Sequence, residues 1–175
     1  MPQPTGFVHA SGDWVTLDAM ATFSCTNRSE AIVAADQQTI WDALTDPQLL
    51  VRLTPLLTGI DADGDTWRWH LTSISALGVG IAPVFTEQMT FTPTRQIRFT
   101  HRPPPGVKEH AGVEGHYELE PAAHGTHLLV ELTMSVDLPL PRLSAPAVQR
   151  VMSVTMARTG ERFSANLLKH LGLKG

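Results

Sequence analysis

Three residues have the chemistry and the spacing to form a proton-transferring site: Glu87, His101 and Tyr117. Side chains on a strand alternate between its two faces, so Glu87 shares a face with Met89, and His101 shares a face with Phe99. A carboxylate opposite an imidazole, with a phenol hydroxyl to orient a carbonyl, suits aldol-type cyclisation or dehydration. The alternatives are that these groups hold the polar end of a ligand, or that they lie in water at the mouth of a cavity.

Whether Glu87 lies opposite His101 depends on the register of the hairpin that joins their strands. A three-residue loop at 93–95 pairs Met89 with Phe99 and Glu87 with His101, whereas a two-residue loop places an apolar residue opposite a polar one. Because opposed residues in an antiparallel pair share a face, we predict the first register. A buried ion is costly unless it is paired, so the two side chains are expected to satisfy each other or a ligand.

Other common catalytic and binding patterns are missing from the sequence. There is one cysteine, so no internal disulfide forms, and the eight histidines lack the spacing of metal ligands. The segment 78–80 lacks the lysine and the following helix of a phosphate-binding loop. We therefore expect no metal and no cofactor, and Glu87, His101 and Tyr117 remain candidates rather than assigned catalytic residues.

The composition is that of a globular protein, with 175 residues, 42% of them hydrophobic and 17% charged. The net charge of -4 and the lack of a basic run argue against nucleic acid as a partner. No apolar run reaches the length of a membrane span, and the N-terminal residues do not resemble a signal peptide, so we expect a cytoplasmic protein. Residues 1–18 are expected to form a loosely attached arm with one short strand near Trp14 to Leu17, and residues 19–175 a single domain.

A long amphipathic helix is predicted from Ser144 to Leu171, and the rest of the chain must be organised around it. At the helical rise it is roughly 40 Å long, so it needs an apolar surface of similar length. Ser144 is expected to cap the start of the helix, and Gly172 to end it. Apolar or small residues recur every three or four positions and therefore share one face. They are Val148, Met152, Thr155, Met156, Thr159, Phe163, Asn166 and Leu167.

Upstream of this helix the pattern predicts one strand, two short helices and then a meander of strands. The first strand is Thr22 to Ala34, and the helices begin at Asp36 and at Asp46-Pro47, where the aspartates act as caps. Short turns rich in Gly, Pro and Asp join the later strands, which favours antiparallel pairing. These strands are predicted at 57–61, 66–75, 81–92, 96–102, 113–121 and 126–136.

Three segments resemble the START-like superfamily of polyketide cyclases and lipid-transport proteins. EAIVAADQQTIWDALTDPQLLVRLTP resembles its opening, FTEQMTFTPTRQIRFTH its central hairpin and GHYELEPAAHGTHLLVEL its later hairpin. The likeness covers about residues 28–171. It implies an α+β helix-grip fold, in which a curved antiparallel sheet of about seven strands wraps around the C-terminal helix, with two short helices after the first strand.

The resemblance also implies an internal cavity between the sheet and the long helix that takes apolar small molecules or lipids. Superfamily members include carriers, sensors, cyclases and aromatases, so the fold alone does not choose among these functions. The leading hypothesis is a carrier or sensor, and the second is a cyclase or aromatase that uses Glu87 and His101.

Two alternatives remain. Aromatic side chains could simply fill the core, or the chain could be a protein-interaction domain, monomeric or homodimeric. If the cavity exists, the inward positions of the strands and of the helix line it. The predicted ligand-binding residues are Trp67, Trp69, Phe85, Glu87, Met89, Phe99, His101, Tyr117, Val130, Met152, Thr155 and Thr159.

Overall fold

A computed structural model of the protein describes residues 20–76 and 78–174. The predicted N-terminal arm, with its strand near Trp14 to Leu17, lies outside the described residues. The elements of the described chain are β1 (Ala21–Val33), α1 (Gln37–Leu44), α2 (Pro47–Leu53), β2 (Leu57–Asp63), β3 (Thr66–Leu71), β4 (Ile74–Ala76), β5 (Val79–Ile81), β6 (Val84–Thr92), β7 (Gln96–His101), β8 (Ala111–Ala122), β9 (Gly125–Leu138) and α3 (Ala145–His170).

The main sheet has seven strands within the described chain, in the order β1-β9-β8-β7-β6-β3-β2. Every neighbouring pair in it is antiparallel. The long helix α3 packs against β1, while α1 and α2 follow β1 and pack at the end of the sheet near β2 and β8. The predicted α+β helix-grip architecture is confirmed.

The two short helices begin where their capping residues place them. Asp36 accepts a hydrogen bond from the backbone N–H of Thr39 at 2.8 Å, and Asp46 accepts one from Leu49 at 3.0 Å. Pro47 occupies the first helical position, where no intrahelical N–H bond is lost. Both predicted starts are confirmed, because these signals act within a single turn of chain.

The long helix starts differently from the prediction. Ser144 has helical backbone angles and its side chain makes no capping hydrogen bond, because a 3-10 turn at Arg142–Ser144 leads directly into α3. The capping role predicted for Ser144 is therefore wrong. At the other end Gly172 has a φ of 73°, and the N–H of Leu173 bonds the carbonyl of Leu168 at 2.8 Å, as the prediction of a glycine stop requires.

Burial along α3 is concentrated near its two ends. Val148 and Leu167 are its buried residues, about 28 Å apart along the helix axis. The inward residues between them are only half buried. Val148 belongs to one hydrophobic cluster and Leu167 to another, so two separate clusters hold the helix at its ends.

The predicted strands at 66–75 and 81–92 are too long. β3 ends at Leu71 and β6 starts at Val84, and the residues between form the small hairpin β4–β5. Pro83 has no N–H to donate to a ladder, while its carbonyl accepts from the N–H of Leu71 at 3.0 Å. The segment 78–80, predicted as a loop, contributes β5 instead.

Candidate functional site

A cavity of about 380 Å³ lies between the inner face of the sheet and α3. It falls within the usual range for small-molecule sites, about 300–1,000 Å³. This volume equals that of roughly a dozen water molecules in the liquid. The lining is mostly aliphatic and aromatic. The cavity exists because the two hydrophobic clusters hold α3 at its ends and no side chain of residues 20–76 or 78–174 fills the space between them.

Alternation along the strands brings most of the predicted ligand-binding residues to this cavity. Each strand from β3 to β9, the small hairpin aside, contributes inward positions, and α3 closes the other side. Their role in binding stays a prediction. The predicted residues that line the cavity are Trp69, Phe85, Glu87, Met89, Phe99, Tyr117, Val130, Thr155 and Thr159.

Two of the predicted residues lie elsewhere on the inner side. Trp67 is buried in the core near α1 and α2, where its ring lies 5.9 Å from the rings of Trp69 and Phe91. Its Nε1 donates to the carbonyl of Gly64 at 3.2 Å, so it has no polar group left for a ligand. Met152 lines a second pocket of about 70 Å³ beside the β4–β5 hairpin.

The predicted register of β6 and β7 is confirmed, but the side-chain contact expected from it is wrong. Glu87 stands opposite His101 in the ladder, and only Glu87 lines the cavity. Nε2 of His101 lies 3.0 Å from Glu109 Oε2, and no hydrogen bond or ion pair joins His101 to Glu87. The imidazole occupies the space that Gly112 leaves free, where a Cβ would lie 2.7 Å from Cε1 of His101.

Glu109 is a buried carboxylate that the sequence analysis missed. Its side chain is 4% exposed and accepts hydrogen bonds from the N–H and the hydroxyl of Thr86, both at 2.7 Å, and from His101. Burial raises the pKa of Glu109, but these hydrogen bonds outweigh burial and bring the pKa below its ordinary value. The only sequence signal was a carboxylate in the proline-rich loop a few residues after His101.

Three polar residues of the cavity wall form what we call the polar corner: Trp69, Glu87 and Tyr117. Glu87 is 2% exposed, and neither its Oε2 nor Nε1 of Trp69 makes a hydrogen bond within the described chain. Burial raises the pKa of Glu87 well above its ordinary value, and the nearby indole N–H of Trp69 opposes this only in part. Burial also raises the pKa of Tyr117, and the charge of Glu87 adds to the effect.

The remainder of the lining carries little charge. Among the lining residues that the structure describes there is no lysine, arginine or histidine, and Glu30 on β1 is the only other acid. Glu30 is exposed, so it lies at the rim rather than inside. Thr54, Thr155 and Thr159 add half-buried hydroxyls to the lining, and the polar corner supplies its buried carboxyl and indole N–H.

The cavity opens between β1 and the middle of α3. Inward positions of β1 are filled by buried Phe23 and Val33 at its ends, but Ser29 and Ala31 between them are exposed and line the cavity edge. Opposite, Gly160 lines the cavity, and a Cβ there would meet nothing within 4 Å. The run of small and polar residues on the inner face of β1 was the sequence signal for this opening.

A strained turn shapes another part of the wall. Leu56 has a φ of 71°, at the third position of a turn closed by a 3.3 Å hydrogen bond from Leu57 N–H to the carbonyl of Thr54. Glycine or asparagine normally occupies this position, since a left-handed backbone costs other residues about 1–2 kcal/mol. The side chain of Leu56 lines the cavity, so the strain places an apolar group there.

Two further findings concern residues 20–76 and 78–174 only. No group of three or more His, Cys, Asp or Glu side chains in these residues has a metal-binding arrangement. No helix among them combines the length and the apolar character needed to cross a membrane.

A family comparison matches residues 24–172 to the family described as polyketide cyclase / dehydrase and lipid transport. The matched stretch holds every element from α1 to α3 and all but the first residues of β1. No curated protein matches the chain.

Solved structures share the fold at low sequence identity. The Zhui aromatase/cyclase from a Streptomyces species has a TM-score of 0.62 at 13% identity, over 84% of this chain and 93% of that chain. Protein TTHA0849 from Thermus thermophilus has a TM-score of 0.60 at 16% identity, over 82% of this chain and 94% of that chain. A conserved protein from Geobacillus kaustophilus reaches 0.60 at 16% identity, over 84% and 95% of the two chains. At these identities the likeness establishes the fold.

Proposed function

Because the chain belongs to the polyketide cyclase / dehydrase and lipid transport family, we propose that it binds an apolar or aromatic small molecule or a lipid, as a carrier or a sensor. The observation that carries this proposal is the cavity of about 380 Å³ between the sheet and α3. A helix held at its ends and unsupported in its middle leaves lining residues half buried, and a ligand would complete their burial.

The lining supplies the driving force for such binding. A ligand that buries about 300 Å² of apolar surface gains roughly 7 kcal/mol at about 25 cal/mol per Å². Lost translation and rotation offset part of this gain, so the expected affinity is modest unless polar contacts add to it.

Aromatic pairs in the wall favour a flat ligand. The rings of Trp69 and Phe85 lie 6.5 Å apart at 14°, and those of Phe99 and Tyr117 lie 5.5 Å apart. All four line the cavity. Planar rings stack on such surfaces with a gain beyond that of their buried area.

A titration with the neutral fluorescent probe N-phenyl-1-naphthylamine tests the proposal. The probe is expected to brighten on binding to the protein and to lose that signal in Thr159→Trp, because Thr159 lines the cavity and the larger side chain fills it. Ala157→Trp is the matched control, since Ala157 is exposed on the same helix. Equal signals from Thr159→Trp and Ala157→Trp would contradict binding inside the cavity.

Catalysis is the second candidate function, and the buried carboxyl of Glu87, whose Oε2 has no hydrogen-bond partner among the described residues, favours it. A buried acid with a raised pKa is a common general acid, and Tyr117 lines the same cavity and is suited to orient a carbonyl. The structural neighbour from Streptomyces is an aromatase/cyclase. His101 takes no part in this version, since its imidazole is bound to Glu109.

Mass spectrometry separates the two candidates. A carrier returns a poly-β-ketone chain unchanged, a cyclase that only forms the aldol returns an isomer of equal mass and different retention time in chromatography, and one that also dehydrates returns a product lighter by the mass of water. Glu87→Gln should abolish such a product while the probe still binds.

The remaining expectations from the sequence are also proposals: a cytoplasmic protein, monomeric or homodimeric, with one domain over residues 19–175. Light scattering measures the oligomeric state, and limited proteolysis should remove only the first 18 or so residues if they form an arm. An early cut inside the domain would contradict that division.

A further inference from the structure

We propose that the polar corner recognises an uncharged ligand group that accepts hydrogen bonds, such as a carbonyl oxygen, and that the cavity rejects carboxylate ligands such as fatty-acid anions. This inference rests on the proposed ligand-binding function and names the chemical class that the site selects. It stands on two buried polar atoms, Trp69 Nε1 and Glu87 Oε2, that have no hydrogen-bond partner within the described chain, and on the absence of cations from the described lining.

The first buried group is the indole N–H of Trp69. It is a donor and has no acceptor role, and no hydrogen bond satisfies it within the described chain. Buried N–H groups in folded proteins nearly always find an acceptor. Trp69 lines the cavity, and the carboxyl of Glu87 lies near its indole N–H but outside hydrogen-bond geometry, so an acceptor on a ligand that reaches these two groups would supply the missing bond.

The second buried group is the carboxyl of Glu87. Its Oε2 also lacks a partner, and burial raises its pKa and so favours the protonated acid. A protonated carboxyl donates one O–H bond. Trp69 and Glu87 thus present two donors, and Tyr117, whose side chain carries a third donor, lines the same cavity. One carbonyl oxygen has two lone pairs, so it is able to accept from two of these donors together.

Ionised ligands meet unfavourable surroundings in the cavity. A carboxylate would bring a full charge into an apolar space whose described lining offers no lysine, arginine or histidine, and Glu30 at the rim repels it. An ammonium group would ionise Glu87 but would face the positive end of the indole N–H of Trp69. It would also require two charges to be stripped of water.

The size of the cavity determines which probe molecules fit it. Space for roughly a dozen waters suits a ligand of about that many non-hydrogen atoms or slightly more. Fluorene, 9-fluorenone, fluorene-9-carboxylate and 9-aminofluorene share one flat tricyclic body and differ in the polar group.

Titration calorimetry of the full chain with these probes at pH 7 tests the inference. We expect 9-fluorenone to bind about tenfold more tightly than fluorene, and fluorene-9-carboxylate to bind at least tenfold more weakly than 9-fluorenone. Equal affinity for fluorene and 9-fluorenone would overturn the inference and leave the proposed ligand-binding function intact. Tightest binding of the carboxylate or of the amine would overturn the inference as well. Binding of none of the probes would overturn both.

Variants assign the preference to the polar corner. Trp69→Phe and Glu87→Met should lower the ratio of 9-fluorenone affinity to fluorene affinity, whatever each does to fluorene binding itself, whereas Glu87→Gln should keep that ratio, because an amide N–H still donates. Glu120→Gln is the control, since Glu120 is exposed on the strand that carries Tyr117. An undiminished preference in both Trp69→Phe and Glu87→Met would overturn the assignment to these two residues. The comparison of probes on the unaltered protein stands even if a variant fails to fold.

Discussion

Glu87 and His101 lie directly opposite each other on β6 and β7, yet their side chains belong to different networks. Glu87 lines the cavity, and its Oε2 has no hydrogen-bond partner among the described residues, while His101 Nε2 lies 3.0 Å from the carboxylate of Glu109. One ladder pair thus contributes to the cavity on one strand and to a buried anchor of the 102–110 loop on the other. The two acids also have opposite pKa shifts, and the consequences for stability are opposite in sign.

Replacing Glu87 should make the free energy of unfolding less sensitive to rising pH. The pKa of Glu87 is raised in the folded protein, so stability is fully present below the ordinary value near 4.3 and falls as pH rises toward the folded pKa. The limiting slope is about 1.4 kcal/mol per pH unit. Glu87→Gln does not titrate, so its free energy of unfolding should decline less between pH 5 and pH 8. Urea denaturation at several pH values measures the difference, and parallel curves for the two proteins would contradict it.

Replacing Glu109 should destabilise the protein and change its behaviour in acid. The pKa of Glu109 is lowered, so its contribution is present above the ordinary value and is lost as pH falls through the folded pKa. Glu109→Gln weakens the bonds from Thr86 and His101 and should cost about 2 kcal/mol at pH 7. Urea denaturation measures this cost, which should shrink below about pH 4. Glu114→Gln, an exposed acid on β8, serves as control and should change little.

The strained turn at Leu56 predicts that two neighbouring leucines respond differently to replacement by glycine. Leu56→Gly relieves a left-handed backbone while removing a half-buried side chain, so its free energy of unfolding should change by no more than about 1 kcal/mol. Leu57→Gly removes a buried side chain and should cost about 3 kcal/mol or more. Thermal or urea unfolding compares the two, and equal losses would show that the turn at Leu56 stores no strain. Leu56→Gly should also weaken probe binding, because it widens the cavity.

Two substitutions at Gly160, which lies beside the opening, should affect stability and ligand entry differently. Glycine in the interior of α3 costs about 1 kcal/mol relative to alanine, so Gly160→Ala should stabilise the protein by about that amount. It should leave the rate of probe uptake unchanged, because open space surrounds the added methyl group. Gly160→Trp narrows the opening and should slow uptake several-fold in stopped-flow fluorescence. Unchanged uptake in Gly160→Trp would place the entrance elsewhere.

Local signals explain the parts of the fold that the sequence predicted well. Asp36 and Asp46 cap helices through bonds to N–H groups within three residues, and the facing of Glu87 and His101 follows from strand alternation and loop length. The Ser144 cap was wrong because a preceding 3-10 turn replaced it, and the strand predicted at 81–92 was too long because Pro83 interrupts the ladder.

Periodicity and turn chemistry in the sequence were thus enough to establish the order of the main elements, the small hairpin β4–β5 excepted, the strand register at the candidate site and the amphipathic face of α3. Which inward residues line the cavity depended on tertiary structure. The distance at which two hydrophobic clusters hold α3 from the sheet sets the cavity, and distant segments meet to build each cluster. Glu109 pairs with His101 because a proline-rich loop brings the carboxylate there and because Gly112 leaves room for the imidazole. Strand alternation carries no information about the path of the loop or about this space.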